Sequence, residues 1–109
     1  MRRVVAAVVL PLALSAGAQG LGEARQQELI RIVRQDCGAC HGMRLTGGLG
    51  PALTPDVMAD KPLDSMVATI VHGRPGTPMP GWKPMLSDAD ARWIAEQLAR
   101  GFPDEPRAR

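Results

Sequence analysis

Two cysteines and a histidine stand within five consecutive residues, Cys37-Gly38-Ala39-Cys40-His41, and this spacing is typical of covalent haem attachment. Cysteines three positions apart lie on one side of a helical turn, where both sulfurs can bond the vinyl carbons along one porphyrin edge. The imidazole of the next residue then reaches the iron as an axial ligand. The motif predicts one covalent haem c, held by Cys37 and Cys40, with His41 as the proximal ligand.

The same residues could also belong to a zinc site or a dithiol redox pair. Cys37 and Cys40 are the only cysteines, so a four-cysteine zinc site is excluded, and a Cys2His2 site would need both His41 and His72. A thioredoxin-like pair usually follows a strand in an alternating pattern of strands and helices, which this sequence does not show. Haem attachment is therefore preferred, with the dithiol oxidoreductase as the alternative.

The sixth position of the iron decides between electron transfer and substrate chemistry. Met79 is our choice for it, because Pro78 and Pro80 fix the backbone on both sides of this residue. Met85 in the same loop is the rival ligand, and His72 would give a bis-histidine site. An open iron face would instead suit a peroxidase or a gas-binding haem protein. Three further methionines are weaker candidates. Met43 is too close to the proximal ligand, Met58 lies in a less constrained segment, and Met66 lies on the apolar face of a helix.

Residues 1–18 predict a secretory signal peptide that is cleaved after Ala18. A basic start at Arg2 and Arg3 precedes an apolar run of eleven residues, Val4 to Leu14, and the small residues Ala16-Gly17-Ala18 form a cleavage site. The run is shorter than the ~20 residues that a membrane-spanning helix needs. Because such haems are attached outside the bacterial cytoplasm, we expect an exported, periplasmic protein with no membrane segment after cleavage.

Composition predicts that residues 19–109 form one small domain that depends on its cofactor. The sequence has one Phe, two Trp and no Tyr, so large side chains that could fill a core are scarce. A buried porphyrin would supply that filling. Without Arg2 and Arg3, the chain has eleven Lys and Arg against eleven Asp and Glu, and no basic run or phosphate-binding loop indicates a nucleic acid partner. We expect a monomer.

The remaining pattern predicts an all-α fold of three to four short helices around one haem. Apolar residues at helical spacing predict helices over residues 22–36, 64–72 and 88–100. The segment from Ser87 to Asp90 resembles an N-terminal capping box, whereas Thr54-Pro55-Asp56 predicts irregular loop. The tail from about residue 104 is expected to be frayed. The apolar faces consist of Ala24, Leu29, Ile32 and Val33 in the first helix and of Ala91, Ile94, Ala95 and Leu98 in the last.

From residue 36 to about residue 98 the chain resembles class I c-type cytochromes, and more narrowly the NirC-like, single-haem cytochromes of denitrification (nir-type) gene clusters. The general motifs are the Cys-X-X-Cys-His segment, Gly50-Pro51 and Met79, and the narrower ones span residues 47–53 and 73–82. The resemblance implies the cytochrome c fold. It also implies that the Pro51 carbonyl accepts a hydrogen bond from the proximal imidazole. Trp82 is expected either to donate its indole N–H to a haem propionate or to act as a packing anchor.

Residues and resemblance together predict an electron-transfer protein rather than an enzyme. Its partner, implied by the resemblance, is the nitrite reductase that contains haems c and d, contacted through a small transient interface. The resemblance also implies an alternative, in which the protein is an accessory factor for maturation of the haem d of that reductase.

Overall fold

The computed structural model describes residues 2–11 and 20–105, and the regular structure within these ranges is entirely helical. The predicted all-α class is therefore confirmed for the described part of the chain. The helices are α1 Glu23–Ile32, α2 Gly38–His41, α3 Pro55–Met58, α4 Leu63–His72 and α5 Asp88–Arg100. Helix α1 continues through a turn of π-helix, Val33–Cys37, directly into α2.

The buried face of the first helix differs from the prediction in its first turn. Leu29 and Val33 are fully buried, as expected, but Ala24 is exposed. Residues four apart share a helix face, so the position one turn before Leu29 is that of Arg25. The long side chain of Arg25 contacts the last helix, and Ala24 is turned to solvent.

Helix α3 lies where an irregular loop was predicted. Thr54 is extended, and Pro55 occupies the first helical position, where its fixed φ suits a helix start. The side chain of Met58 is buried in the core, and α3 packs against α5. A single turn is too short for a periodic apolar pattern, so tertiary packing decides that it is helical.

Helix α5 matches the prediction along its whole length. Ser87 Oγ accepts the N–H of Asp90 at 3.0 Å, and Asp90 Oδ2 accepts the N–H of Ser87 at 3.0 Å, so the predicted capping box is present. The helix packs against α4. Its predicted apolar residues are all buried: Ala91, Ile94, Ala95 and Leu98.

An ion pair with a buried carboxylate joins α1 to α5. The Asp90 carboxylate, in a residue only 4% exposed, accepts hydrogen bonds from Arg25 Nη2 at 2.6 Å and from Arg25 Nε at 3.2 Å. The Arg25 guanidinium holds the pKa of Asp90 below its ordinary value. One carboxylate thus caps α5 and holds the first helix beside it.

The segment after α5 returns to the π-helical turn. Arg34 Nη2 donates to the carbonyl oxygens of Phe102 at 2.7 Å and Pro103 at 2.8 Å. Its guanidinium also lies 5.4 Å from the centre of the Phe102 ring, which packs edge-on against Trp93. These contacts hold residues 102–103 against the turn that precedes the haem motif.

The predicted signal peptide falls only partly within the described residues. The cleavage site Ala16-Gly17-Ala18 lies outside them, and the described valines of the apolar run are exposed. Among the residues described, none of the helices has the length and apolar character to cross a membrane.

We expect Asp90→Asn to lower the free energy of unfolding by about 2 kcal/mol, since it leaves Arg25 without its charge partner and weakens the capping box. The loss is smaller than for a fully buried pair because the Arg25 side chain is 31% exposed. Folding lowers the pKa of Asp90, so its contribution is present above an unfolded-state pKa of about 3.9 and is lost as pH falls through the folded-state pKa. The difference from wild type should therefore shrink below about pH 4 in urea titrations.

Asp64→Asn is the control, because it removes only the surface ion pair of Asp64 with Arg92, at 3.0 Å, in which Asp64 is 89% exposed. We expect it to cost less than about 1 kcal/mol. Equal losses in the two variants would contradict the structural role of Asp90.

Candidate functional site

The turn that contains the haem motif is closed by residues 42–50, which bind its last carbonyl groups. The N–H of Gly47 donates to the His41 oxygen at 2.9 Å, and the N–H of Gly50 donates to the Cys40 oxygen at 2.8 Å. Carbonyls at a helix end have no partner within the helix. The loop therefore returns to the turn from which it started and brings residues 50 and 51 against the imidazole.

The His41 ring is oriented by the carbonyl of Pro51. Nδ1 lies 2.7 Å from the Pro51 oxygen, in a residue that is 9% exposed. Because a carbonyl oxygen can only accept, Nδ1 is the protonated nitrogen and Nε2 keeps its lone pair. The hydrogen bond that the resemblance implied is present, and it selects the tautomer that can bind a metal through Nε2.

The backbone of Gly50 packs directly against the same ring, a contact that the sequence did not reveal. A Cβ atom at this position would lie 2.8 Å from Cε1 and 2.9 Å from Nδ1 of His41, inside van der Waals distance. From the sequence, Gly50 could be recognised only as part of a glycine-rich loop and of a family motif. A steric contact between residues nine positions apart has no local sequence pattern that would predict it.

The two cysteines of the motif differ in exposure, because Cys37 is half-buried and Cys40 is exposed. Burial, and to a smaller extent the neighbouring Asp36 and Cys40, raises the pKa of the Cys37 thiol to about 11. The thiol is therefore protonated at neutral pH, whereas the reactive cysteines of dithiol oxidoreductases have lowered pKa values. This favours cysteines that hold a cofactor over a dithiol redox pair.

Residues 73–82 form a closed loop at the end of α4, and Met79 lies within it. Gly73 has φ +73°, and a Cβ there would lie 2.7 Å from the Met79 oxygen and 2.7 Å from the nitrogen of Gly81. The N–H of Arg74 donates to the Met79 oxygen at 3.3 Å, and that of Trp82 donates to a carbonyl in the last turn of α4 at 3.0 Å. The loop fixes the Met79 backbone relative to α4.

The other candidates for the sixth ligand lie in less suitable surroundings than Met79, whose side chain is half-buried. His72 is exposed at the end of α4. Among residues 2–11 and 20–105, no three His, Cys, Asp or Glu side chains come together to hold a metal ion. Met43 and Met85 are exposed, whereas Met58 and Met66 are buried in the core.

The site residues fit a haem c in their donor chemistry. Two thiols, a free imidazole nitrogen and a thioether are the donors that attach and ligate this cofactor. Trp82 is half-buried against the core, which agrees with a packing anchor, and its contact with a propionate remains a prediction. Other apolar side chains pack against the core and stay partly exposed: Leu53, Val67 and Ile70.

Comparisons with known proteins agree with the site. A family model described as cytochrome c oxidase, cbb3-type, subunit III matches residues 24–97. Cytochrome c55X of Stutzerimonas stutzeri is 49% identical over 96 residues, which cover 88% of this chain and 82% of that protein. The solved structure of a c-type cytochrome NirC matches with a TM-score of 0.73 and 53% identity, over 74% of this chain and 95% of that one. The predicted cytochrome c fold and the predicted resemblance are thereby confirmed.

A further relative is a longer enzyme. The dihydro-heme d1 dehydrogenase of Pseudomonas aeruginosa is 39% identical over 100 residues, which cover 92% of this chain and 20% of that enzyme. This similarity therefore concerns one part of the larger protein.

The loop around Met79 gives a test with a matched control. Gly73→Ala should lower the free energy of unfolding by about 2–4 kcal/mol, because a Cβ at a positive φ would also collide with the backbone of residues 79–81. Gly76→Ala has the same kind of φ, +77°, but nothing within 4 Å of its Cβ, and should cost only about 1 kcal/mol. Urea unfolding of the two variants measures the difference, and equal costs would contradict the close packing of this loop.

Proposed function

The chain belongs to the family of small c-type cytochromes that includes cytochrome c55X and NirC, and from this we propose that it is a periplasmic one-electron carrier of denitrification. When bound, a haem c supplies a ferric/ferrous couple that takes up or gives off one electron. The observation that most supports this role is the hydrogen bond from His41 Nδ1 to the Pro51 oxygen at 2.7 Å. It leaves Nε2 as the only ring nitrogen able to bind iron.

We assign the attachment and proximal roles to the haem motif. Cys37 and Cys40 would hold one haem through thioether bonds, and His41 Nε2 would bind its iron as the proximal ligand. Pro51 keeps the imidazole in one orientation and increases the electron density on its nitrogen, since a ligand that donates its second N–H to a carbonyl becomes more basic. Because His41 is nearly fully buried, water does not compete with the Pro51 carbonyl for the Nδ1 proton.

Met79 is assigned as the distal ligand. A thioether binds iron weakly, so it gains from a backbone that is already fixed, as the loop of residues 73–82 is by its hydrogen bonds to α4. With His41 and Met79 both bound, the iron would have no open position for a substrate, so we expect the protein to transfer electrons without turning over a substrate. Trp82, the last residue of this loop, packs against the core, and we assign its indole N–H to a propionate.

The proposed ligand pair predicts a spectroscopic change in one variant. The ferric protein should show the weak red-region charge-transfer band of a sulfur-ligated haem, and Met79→Ala should lose it because the thioether is removed. Met85→Ala is the control, since this exposed side chain should leave the band unchanged. In both variants the haem should stay with the polypeptide during denaturing extraction. A band that survives in Met79→Ala would exclude this residue as the ligand.

Two roles are compatible with such a cytochrome. In the first, this monomeric protein, after export and removal of residues 1–18, would deliver electrons to the nitrite reductase that contains haems c and d. The second role is accessory, in the maturation of haem d. It is favoured by one observation, the 39% identity to part of a protein named dihydro-heme d1 dehydrogenase. A unit similar to this chain is thus part of an enzyme whose name specifies that cofactor.

Mixing experiments separate the two roles. If the protein is a shuttle, the reduced form should be oxidised by the nitrite reductase in stopped flow, much faster than an unrelated cytochrome of similar charge is. If it is an accessory factor, that rate should equal the control, and reductase produced in cells without this protein should lack part of its haem d. A rate at the control level would contradict the shuttle.

A further inference from the structure

We propose that Gly50 is a positioning residue, whose lack of a side chain sets the rotation of the His41 imidazole and with it the hydrogen bond to Pro51. This inference depends on the proposed function, because it assigns a role toward a haem ligated by His41. It concerns a residue that contacts the ring through its backbone alone, with nothing donated to the ring or accepted from it.

The first step is that the backbone at Gly50 cannot move away from the ring. Its N–H donates to the Cys40 oxygen at 2.8 Å, and its carbonyl accepts the N–H of Gly48 at 3.0 Å. Gly48 is itself packed on the motif, because a Cβ there would lie 2.7 Å from the Cys40 oxygen. Both ends of the Gly50 peptide segment are therefore tied to the turn that contains the imidazole.

The second step is that an added methyl group must displace the ring. A Cβ on Gly50 would lie 2.8 Å from Cε1, 2.9 Å from Nδ1 and 3.3 Å from Nε2 of His41. The φ of Gly50 is not among the positive values of the chain, so alanine is allowed there on backbone grounds. The consequence of Gly50→Ala would come from this one contact, and the imidazole is the part that can rotate.

The third step links the rotation to measurable properties. Turning the ring moves Nδ1 away from the Pro51 oxygen and changes the orientation of the imidazole plane around Nε2. A weaker hydrogen bond makes the imidazole a poorer electron donor, which stabilises the ferric state less. We therefore expect the reduction potential to rise and the ferric spectrum to report a new ring orientation.

The experiment compares holoprotein with glycine or alanine at residue 50. Gly50→Ala should change the spread of the ferric low-spin EPR g values, raise the potential and exchange the Nδ1 proton of His41 roughly tenfold faster. Gly22→Ala is the matched control. Gly22 lies outside the site, its φ of −61° is open to alanine, and a Cβ there would meet nothing within 4 Å, so all three properties should stay at wild-type values.

Two further measurements keep the outcome decisive. In the ferrous wild-type protein, the Gly50 α-protons should give a strong nuclear Overhauser effect to the His41 Hε1 proton, whether or not the alanine variant folds. A missing effect, or a Gly50→Ala protein identical to wild type in g values and proton exchange, would overturn the inference. Failure of the proposed function is seen separately, as a wild-type protein without a histidine-ligated, low-spin haem.

Discussion

The hydrogen bond from His41 Nδ1 to the Pro51 oxygen is the interaction on which the chemistry of the site depends, and it is built from backbone closure. Two free carbonyls at the end of the haem-motif helix accept N–H groups from the loop of residues 42–50. Helix ends need such partners when they are buried, so satisfying them also brings Gly50 and Pro51 to the ring. The hydrogen bonds that close the end of the helix therefore also place the Pro51 carbonyl, which selects the imidazole tautomer.

The helices supply a rigid support for that loop. The Arg25 and Asp90 pair holds α1 to α5, and the Arg34 bonds to residues 102–103 hold the chain end to the π-helical turn. A small core with few aromatic residues gains from such polar links, because each joins segments more than sixty positions apart. The π-helical turn ends at Cys37, whose half-buried thiol has a raised pKa, unlike the cysteines used in thiolate chemistry.

The segments that contain His41 and Met79, the two proposed ligands, are fixed by different means. His41 is part of a helical turn and is oriented through its side chain, whereas Met79 is held through its backbone, by a glycine contact and by hydrogen bonds to α4. An imidazole has a second nitrogen through which it can be oriented, and a thioether has no such group. Backbone rigidity is therefore the available means of placing a methionine side chain.

Much of this protein could be predicted from the sequence because the relevant signals are local. The Cys37 to His41 motif, the capping box of α5 and its four buried apolar residues each depend on neighbours within one or two turns. Helix α3 and the exposure of Ala24 could not be predicted, since packing against α5 and the reach of Arg25 decide them.

The sequence by itself determined the chemistry: two thiols, an imidazole and a thioether in a proline-flanked loop, on an all-α chain. Only the tertiary structure decided which imidazole nitrogen is free and how closely Gly50 approaches the ring. The physical reason is that donor types and helical periods are properties of short segments. Tautomer choice and steric contact depend on atoms that folding brings together from different turns of the chain.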